Sequence, residues 1–226
     1  MSVVEIYVPA VRKVILTGAS IKNARENGML GVLLPSGAKI PFTFADGTAN
    51  SFDVGRDDRH TYLVLHDSLT PDVNNGYMWN QKGYSTKGGY PASHYREILS
   101  DIFQKLPDIF REIALPLHIK QKTGRGGPYE CKDRIFLLSA TNVFGCDTWK
   151  AENDCGDTQI DIFADHRNRL KFPADRDYPS SWALRTVLSD RHHAIVNEKG
   201  IQWDSYANRP MTLVAAICIE NMRKEE

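Results

Sequence analysis

The sequence predicts a mixed α+β fold, and three observations carry the prediction. Short β-branched or apolar segments recur between turn signals, one run of apolar residues repeats at helical spacing, and several polar stretches show neither period. At 226 residues the chain suits one large domain, or a domain with a small extension.

The N-terminal residues 3–8 read Val-Val-Glu-Ile-Tyr-Val, and 12–16 repeat that character, which predicts two short strands ending at Gly18. After a polar stretch over 23–28, residues 31–37 predict a strand running into a turn. Residues 39–44 predict another strand, closed by the Asp46-Gly47 turn signal. Thr61-Tyr62-Leu63-Val64-Leu65 is the clearest strand of this half. Residues 71–89 carry Asn, Gly, Lys, Ser, Tyr and Trp without a period, and predict a long surface loop. Tyr95, Ile98, Leu99, Ile102, Phe103 and Leu106 then recur on one helix face, with Ser93 as N-cap. Pro107 fits the start of a shorter helix that buries Ile109, Phe110 and Ile113 and stops at Pro116. A basic loop over 120–128 precedes a strand at 134–138, and an acidic loop spans 147–157. Short apolar segments at 160–163 and 170–172 lead into strands at 181–185, 193–197 and 214–219, with a tight turn at Glu198-Lys199-Gly200.

Hydrophobic residues make up 42% and charged residues 25%, which excludes a disordered or fibrous chain. The 28 basic residues balance the 28 acidic ones, so no net field draws a polyanion, and nucleic acid is not an expected partner. The apolar runs at 3–14 and 213–219 are interrupted or too short to span a bilayer, and the N-terminus does not read as a secretory signal. The expectation is a protein made in the cytoplasm without membrane insertion. Cys131, Cys146, Cys155 and Cys218 form no CxxC pair, so thiols are expected, and a Cys146–Cys155 bridge requires an oxidising compartment.

Catalytic and cofactor chemistry have no convincing carrier. No G-x-S-x-G occurs, Gly124-Arg125-Gly126-Gly127 does not join a strand to a helix, and no Cys–His arrangement stands out; neither catalytic residues nor a cofactor is assigned. His192 and His193 are adjacent, so in a strand they face opposite ways and cannot share a zinc ion without a bulge. Glu152, Asp154 and Asp157 offer oxygen ligands for calcium as an alternative. Their spacing departs from an EF-hand, and a solvated acidic loop is the plainer reading. Aromatic side chains are the better clue. Tyr77, Trp79, Tyr84 and Tyr90 lie in or beside the 71–89 loop and Trp149 lies in the acidic one; rigid rings on loops suit sugar or protein contacts, although any single ring is more often a core anchor. Trp182 and Trp203 sit in strand context and are expected in the core.

Several segments fall in a recognisable order: Leu34-Pro35-Ser36-Gly37-Ala38-Lys39, a helix over 90–107 ending in Leu106-Pro107, Arg134-Ile135-Phe136-Leu137-Leu138-Ser139-Ala140-Thr141-Asn142-Val143-Phe144-Gly145, Arg169-Leu170-Lys171-Phe172, Ser181-Trp182-Ala183-Leu184-Arg185, and 214–219. Together they resemble a C-type-lectin-like domain family of unknown function, found in gut-bacterial surface proteins and in phage and prophage proteins, and related in fold to sulfatase-modifying-factor domains. Family members read Trp-Leu-Arg-Ser-Pro where this chain has Trp182-Ala183-Leu184-Arg185-Thr186, and Val-Arg-Pro-Ala where Val214-Ala215-Ala216-Ile217 stands. The resemblance implies small twisted antiparallel sheets with one or two packed helices and long surface loops over residues 29–226. Residues 1–28 lie outside it and are expected to form a β-rich anchor or assembly segment.

The functional expectation is a non-enzymatic phage virion protein, a decoration, fibre or tail-associated component that displays this domain on the particle surface after cytoplasmic assembly. Its expected partners are other virion subunits through the N-terminal segment, further copies of itself, and a host-surface glycan or protein. The alternatives are a bacterial carbohydrate- or peptide-binding protein and, on fold relation alone, a sulfatase-modifying-factor-like enzyme.

Overall fold

The computed structural model describes residues 3–8, 11–70, 77–121, 128–145 and 157–221. Strands β1 (Val3–Val8) and β2 (Val11–Thr17) form an antiparallel hairpin. Thr17 then caps a helix, α1 (Gly18–Glu26), through reciprocal bonds with Ser20. The polar stretch over 23–28 is thus mostly helix; its polar residues form the solvent side, and Ile21 is buried. The strand expected over 31–37 is instead one helical turn, α2 (Leu30–Leu33). Leu30 and Leu34 are fully buried while Val32 is exposed, so inward positions stand four residues apart, which is helical spacing.

A meander follows, β3 (Lys39–Thr43), β4 (Ala49–Arg56) and β5 (His60–Leu65). Helix α3 (His94–Lys105) buries Tyr95, Leu99 and Ile102 as its spacing predicts, and α4 (Asp108–Ile113) buries Ile109, Phe110 and Ile113. Ser93 stands at the N-cap of α3, but its hydroxyl donates back to the Tyr90 carbonyl (2.8 Å) instead of capping the helix. Next come the hairpin β6 (Leu117–Gln121) and β7 (Tyr129–Asp133), then β8 (Ile135–Leu137) and α5 (Ala140–Phe144). Two 3₁₀ turns, Asp161–Ala164 and His166–Arg169, lead to β9 (Trp182–Val187), β10 (His192–Val196), β11 (Gln202–Tyr206), β12 (Thr212–Leu213) and β13 (Ala215–Asn221).

Seven strands form one antiparallel sheet in the order β2-β1-β3-β4-β5-β13-β8, and four form a second in the order β11-β10-β9-β12, where only β12 runs parallel to its neighbour. The N-terminal hairpin joins the larger sheet where Tyr7 pairs with Lys39. Helix α4 closes one face of that sheet. Phe42 stacks on Phe52 at 4.7 Å, and Phe110 meets both rings edge-on at 5.3 and 5.0 Å. The 3₁₀ turn at Asp161–Ala164 covers the other face so closely that Gly55 leaves no room for a side chain.

The two segments on which the family resemblance leans most heavily meet at the junction of the sheets. Ser139 caps α5 with Asn142 just beyond β8, and Gly145 ends that helix with a left-handed φ of 74°. From β9, the Arg185 N–H donates to the Leu138 carbonyl (2.9 Å), and the Thr186 hydroxyl accepts from the Ala140 N–H (2.9 Å). The buried Arg185 guanidinium donates to the Leu137 carbonyl (2.7 Å) and pairs with Asp157. These motifs therefore hold one sheet against the other.

Candidate functional site

The aromatic residues of the 77–93 segment divide sharply. Trp79 is 2% exposed and stacks on the His193 ring at 5.0 Å, with Tyr95 edge-on at 5.9 Å. Tyr90 is fully buried; its N–H donates to the Gln121 side chain (2.8 Å) and its hydroxyl accepts from the Leu137 N–H (3.4 Å). Both are core anchors and present no face to a partner. Tyr77 is partly buried against the core, whereas Tyr84 is 56% exposed and meets Tyr206 edge-on. The segment is pinned down by backbone bonds from Asn80 to Ala207, Thr86 to Asp190 and Met211 to Tyr77. Trp149, Glu152 and Asp154 lie outside the described residues, as do Cys146 and Cys155. Asp157 is described, and its carboxylate is taken by Arg185. Among the described residues no group of three or more His, Cys, Asp or Glu is arranged to hold a metal.

Trp203 overturns its sequence reading. Trp182 is buried as expected, with its indole N–H donating to the Arg169 carbonyl (3.0 Å), but Trp203 is 54% exposed. The cause is topological: β11 is the outermost strand of the smaller sheet. Strand alternation puts Trp203 and Ser205 on the same face as Ile195 and His193, their direct partners across β10. Trp79 covers that face at His193, yet at the rim Trp203 reaches beyond the core.

An open groove of about 740 Å³ lies there. Ile195, Trp203, Ser205 and Met211 contribute its apolar and hydroxyl floor. Ser205 is 4% exposed, and its hydroxyl has no hydrogen-bond partner in the structure. The rim carries three cations, Arg176, Lys199 and Arg209, and two carboxylates, Glu198 and Asp204. Both carboxylates are engaged. Glu198 accepts from the Ser181 hydroxyl (3.1 Å), and its own backbone N–H followed by that hydroxyl holds its carboxyl below the usual range. Asp204 bonds the His192 ring, which also packs on Tyr206 at 4.2 Å. His192 and His193 thus face opposite ways, as alternation requires.

Away from the groove, charged groups run in a line through the larger sheet. The Lys39 ammonium donates to His66 Nε2 (2.7 Å), which fixes the ring as the tautomer whose Nδ1–H donates to Asp53 (2.9 Å). Asp53 in turn lies 3.4 Å from the buried Lys171 ammonium, which also donates to the Leu65 carbonyl (2.9 Å). Burial alone raises the Asp53 carboxyl, but the His66 bond and the Lys171 charge outweigh it and hold the group below the usual carboxylate range. Burial likewise pulls Lys171 down, against the opposing pull of Asp53. The line contains no hydroxyl or thiol nucleophile. Cys131 and Cys218 sit in the core with thiols pushed up to about 12, chiefly by burial, which keeps them protonated at neutral pH.

No sequence signal marked the groove, because its residues come from three separate stretches of chain and Trp203 reads as a core strand residue. The nearest clue is composition: Trp203 and Tyr206 share a short strand with Asp204, an unusual mix for a buried element. A family model described as Domain of unknown function (DUF6273) matches residues 60–220, a span that runs from β5 to β13 and includes every groove residue. Comparison with curated proteins found no match. Comparison with solved structures likewise found none. No helix among the described residues is long and apolar enough to cross a membrane.

Proposed function

The chain belongs to the DUF6273 domain family, and on that premise we propose that it is a non-enzymatic recognition module whose sheet-edge groove holds a segment of glycan. One observation carries the reading: a solvent-facing Trp203 indole beside a buried, unpartnered Ser205 hydroxyl, within a rim of polar and charged side chains. An indole face packs on the C–H face of a sugar ring, and a hydroxyl floor with an Asn197, Ser180 and Ser181 rim matches sugar hydroxyls. The cysteines weigh against the sulfatase-modifying alternative, since the Cys218 thiol is buried in β13 and donates to the Glu220 carbonyl (3.2 Å). A glycan array probed with the chain and with Trp203→Ala tests the reading. Binding to a restricted glycan set that the substitution abolishes is expected. Binding unchanged by the substitution, or recognition of peptides alone, overturns it.

The display context is a C-type-lectin-like domain on the surface of a phage particle. Its support is the order of motifs from the 34–39 segment to β13, together with a sheet whose last strand on one side belongs to the N-terminal hairpin. An outermost strand offers backbone donors and acceptors to a neighbouring subunit, which suits β2 to assembly. Light scattering on a chain lacking residues 1–16 tests that role; an assembly state equal to that of the full chain removes it.

A further inference from the structure

Resting on that reading of the groove, we infer that its glycan carries a carboxylate, as uronic-acid and sialic-acid residues do. The formal charge of the whole chain is zero, and the groove lining sets three cations against two carboxylates. Its two carboxylates are engaged within the protein, Glu198 by Ser181 and Asp204 by His192. Among the described residues Lys199 and Arg209 have no carboxylate partner, and Arg176 reaches only its neighbour Asp175, at 3.5 Å. Lys199 also acts through its charge on Glu198, which leaves Arg209 as the rim cation for a ligand anion, beside an aromatic platform.

The chemistry selects among anions. A guanidinium fork matches a carboxylate through two parallel bonds, and such charge-assisted bonds are stronger than neutral ones. A single carboxylate on a sugar ring meets one cation and leaves its hydroxyls for the floor. Ser205 lines the groove, and its buried hydroxyl has no partner in the structure. Trp203 packs on the ring itself.

The test measures binding of the full chain to polygalacturonate and polysialic acid, with dextran and mannan as neutral controls and a Glu-rich peptide as a further probe. Trp203→Ala, Arg209→Gln and the parent are compared at low and high salt, with thermal melts to show that the variants fold. Acidic glycans are expected to bind about tenfold more tightly than neutral ones, with Arg209→Gln erasing the difference and Trp203→Ala abolishing binding. Raising the salt concentration should narrow the preference. Equal, Trp203-dependent binding of neutral and acidic glycans overturns the inference and leaves the glycan groove standing. Binding of the acidic peptide alone, or of none of these probes, overturns both.

Discussion

Lys171 lies in the core with its ammonium 3.4 Å from the Asp53 carboxylate, and the two residues come from segments 118 positions apart. Asp53 belongs to β4 and Lys171 follows the second 3₁₀ turn, so the pair fixes that turn region to the larger sheet. A buried charge deprived of its partner is far costlier than a buried pair replaced by apolar groups. Asp53→Ala strands the Lys171 charge and should cost about 3–5 kcal/mol, while Lys171→Met leaves Asp53 its bond from His66 and the Lys39 charge and should cost less. Urea unfolding of the two variants checks the order. Equal losses would mean that His66 and Lys39 do not support Asp53 once Lys171 is gone.

Gly55 faces the first 3₁₀ turn across β4. A Cβ at that position meets Ile160 Cγ2 at 2.5 Å and two carbons of Ile162 at 3.1 Å, and none of these can retreat within a closed layer. Gly55→Ala is expected to cost about 1–3 kcal/mol through overpacking. Gly83→Ala, with open space around its Cβ, serves as the control and should shift stability by less than about 1 kcal/mol. A denaturation midpoint for Gly55→Ala equal to that of Gly83→Ala would contradict the close packing.

His193 is the buried ring most exposed to a change of pH in its energetics. Burial pulls it down to about 4, against weaker opposing contributions from the Ala194 and Leu184 carbonyls and Asp204. Its unfolded value is near 6.5, so between those limits the unfolded chain binds the extra proton and the folded one does not. Stability consequently falls as pH drops from about 6.5 to about 4, by on the order of 3 kcal/mol from this ring, and is indifferent to it above pH 7. His193→Phe keeps a flat ring against Trp79 and removes the titration. The difference in unfolding free energy between parent and variant, followed from pH 7 to pH 4, should shrink or reverse in favour of the variant; a constant difference would refute the assignment.

Much of the larger sheet was legible because its signals are local. Residues 61–65 and 214–219 are dense in apolar and β-branched residues, and the helix at 95–106 carries one apolar face, so each declared itself without tertiary help. Strand β4 did not. Ala49-Asn50-Ser51-Phe52-Asp53-Val54-Gly55-Arg56 holds four poor strand formers, and it becomes a strand only because it is sandwiched between α4 and a 3₁₀ turn. Helix α1 was hidden for the opposite reason, as its single buried residue, Ile21, gives no periodicity, and its Thr17–Ser20 box lacks the usual acidic partner. The groove was least legible of all. Position at a sheet edge decides whether Trp203 is core or surface, and strand order is not written in local sequence.

Two tryptophans show the contrast most sharply. Trp79 came from a loop and is core; Trp203 came from a strand and is surface. Trp79→Ala removes a ring sandwiched by His193 and Tyr95, and should cost about 3–5 kcal/mol. Trp203→Ala removes a half-exposed ring from an outermost strand, and should cost less than about 1 kcal/mol while eliminating glycan binding. Paired thermal melts and binding measurements separate the two roles. A large loss of stability from Trp203→Ala would return that residue to the core and take the recognition platform with it, because a ring that holds the sheet together is not free to pack on a ligand.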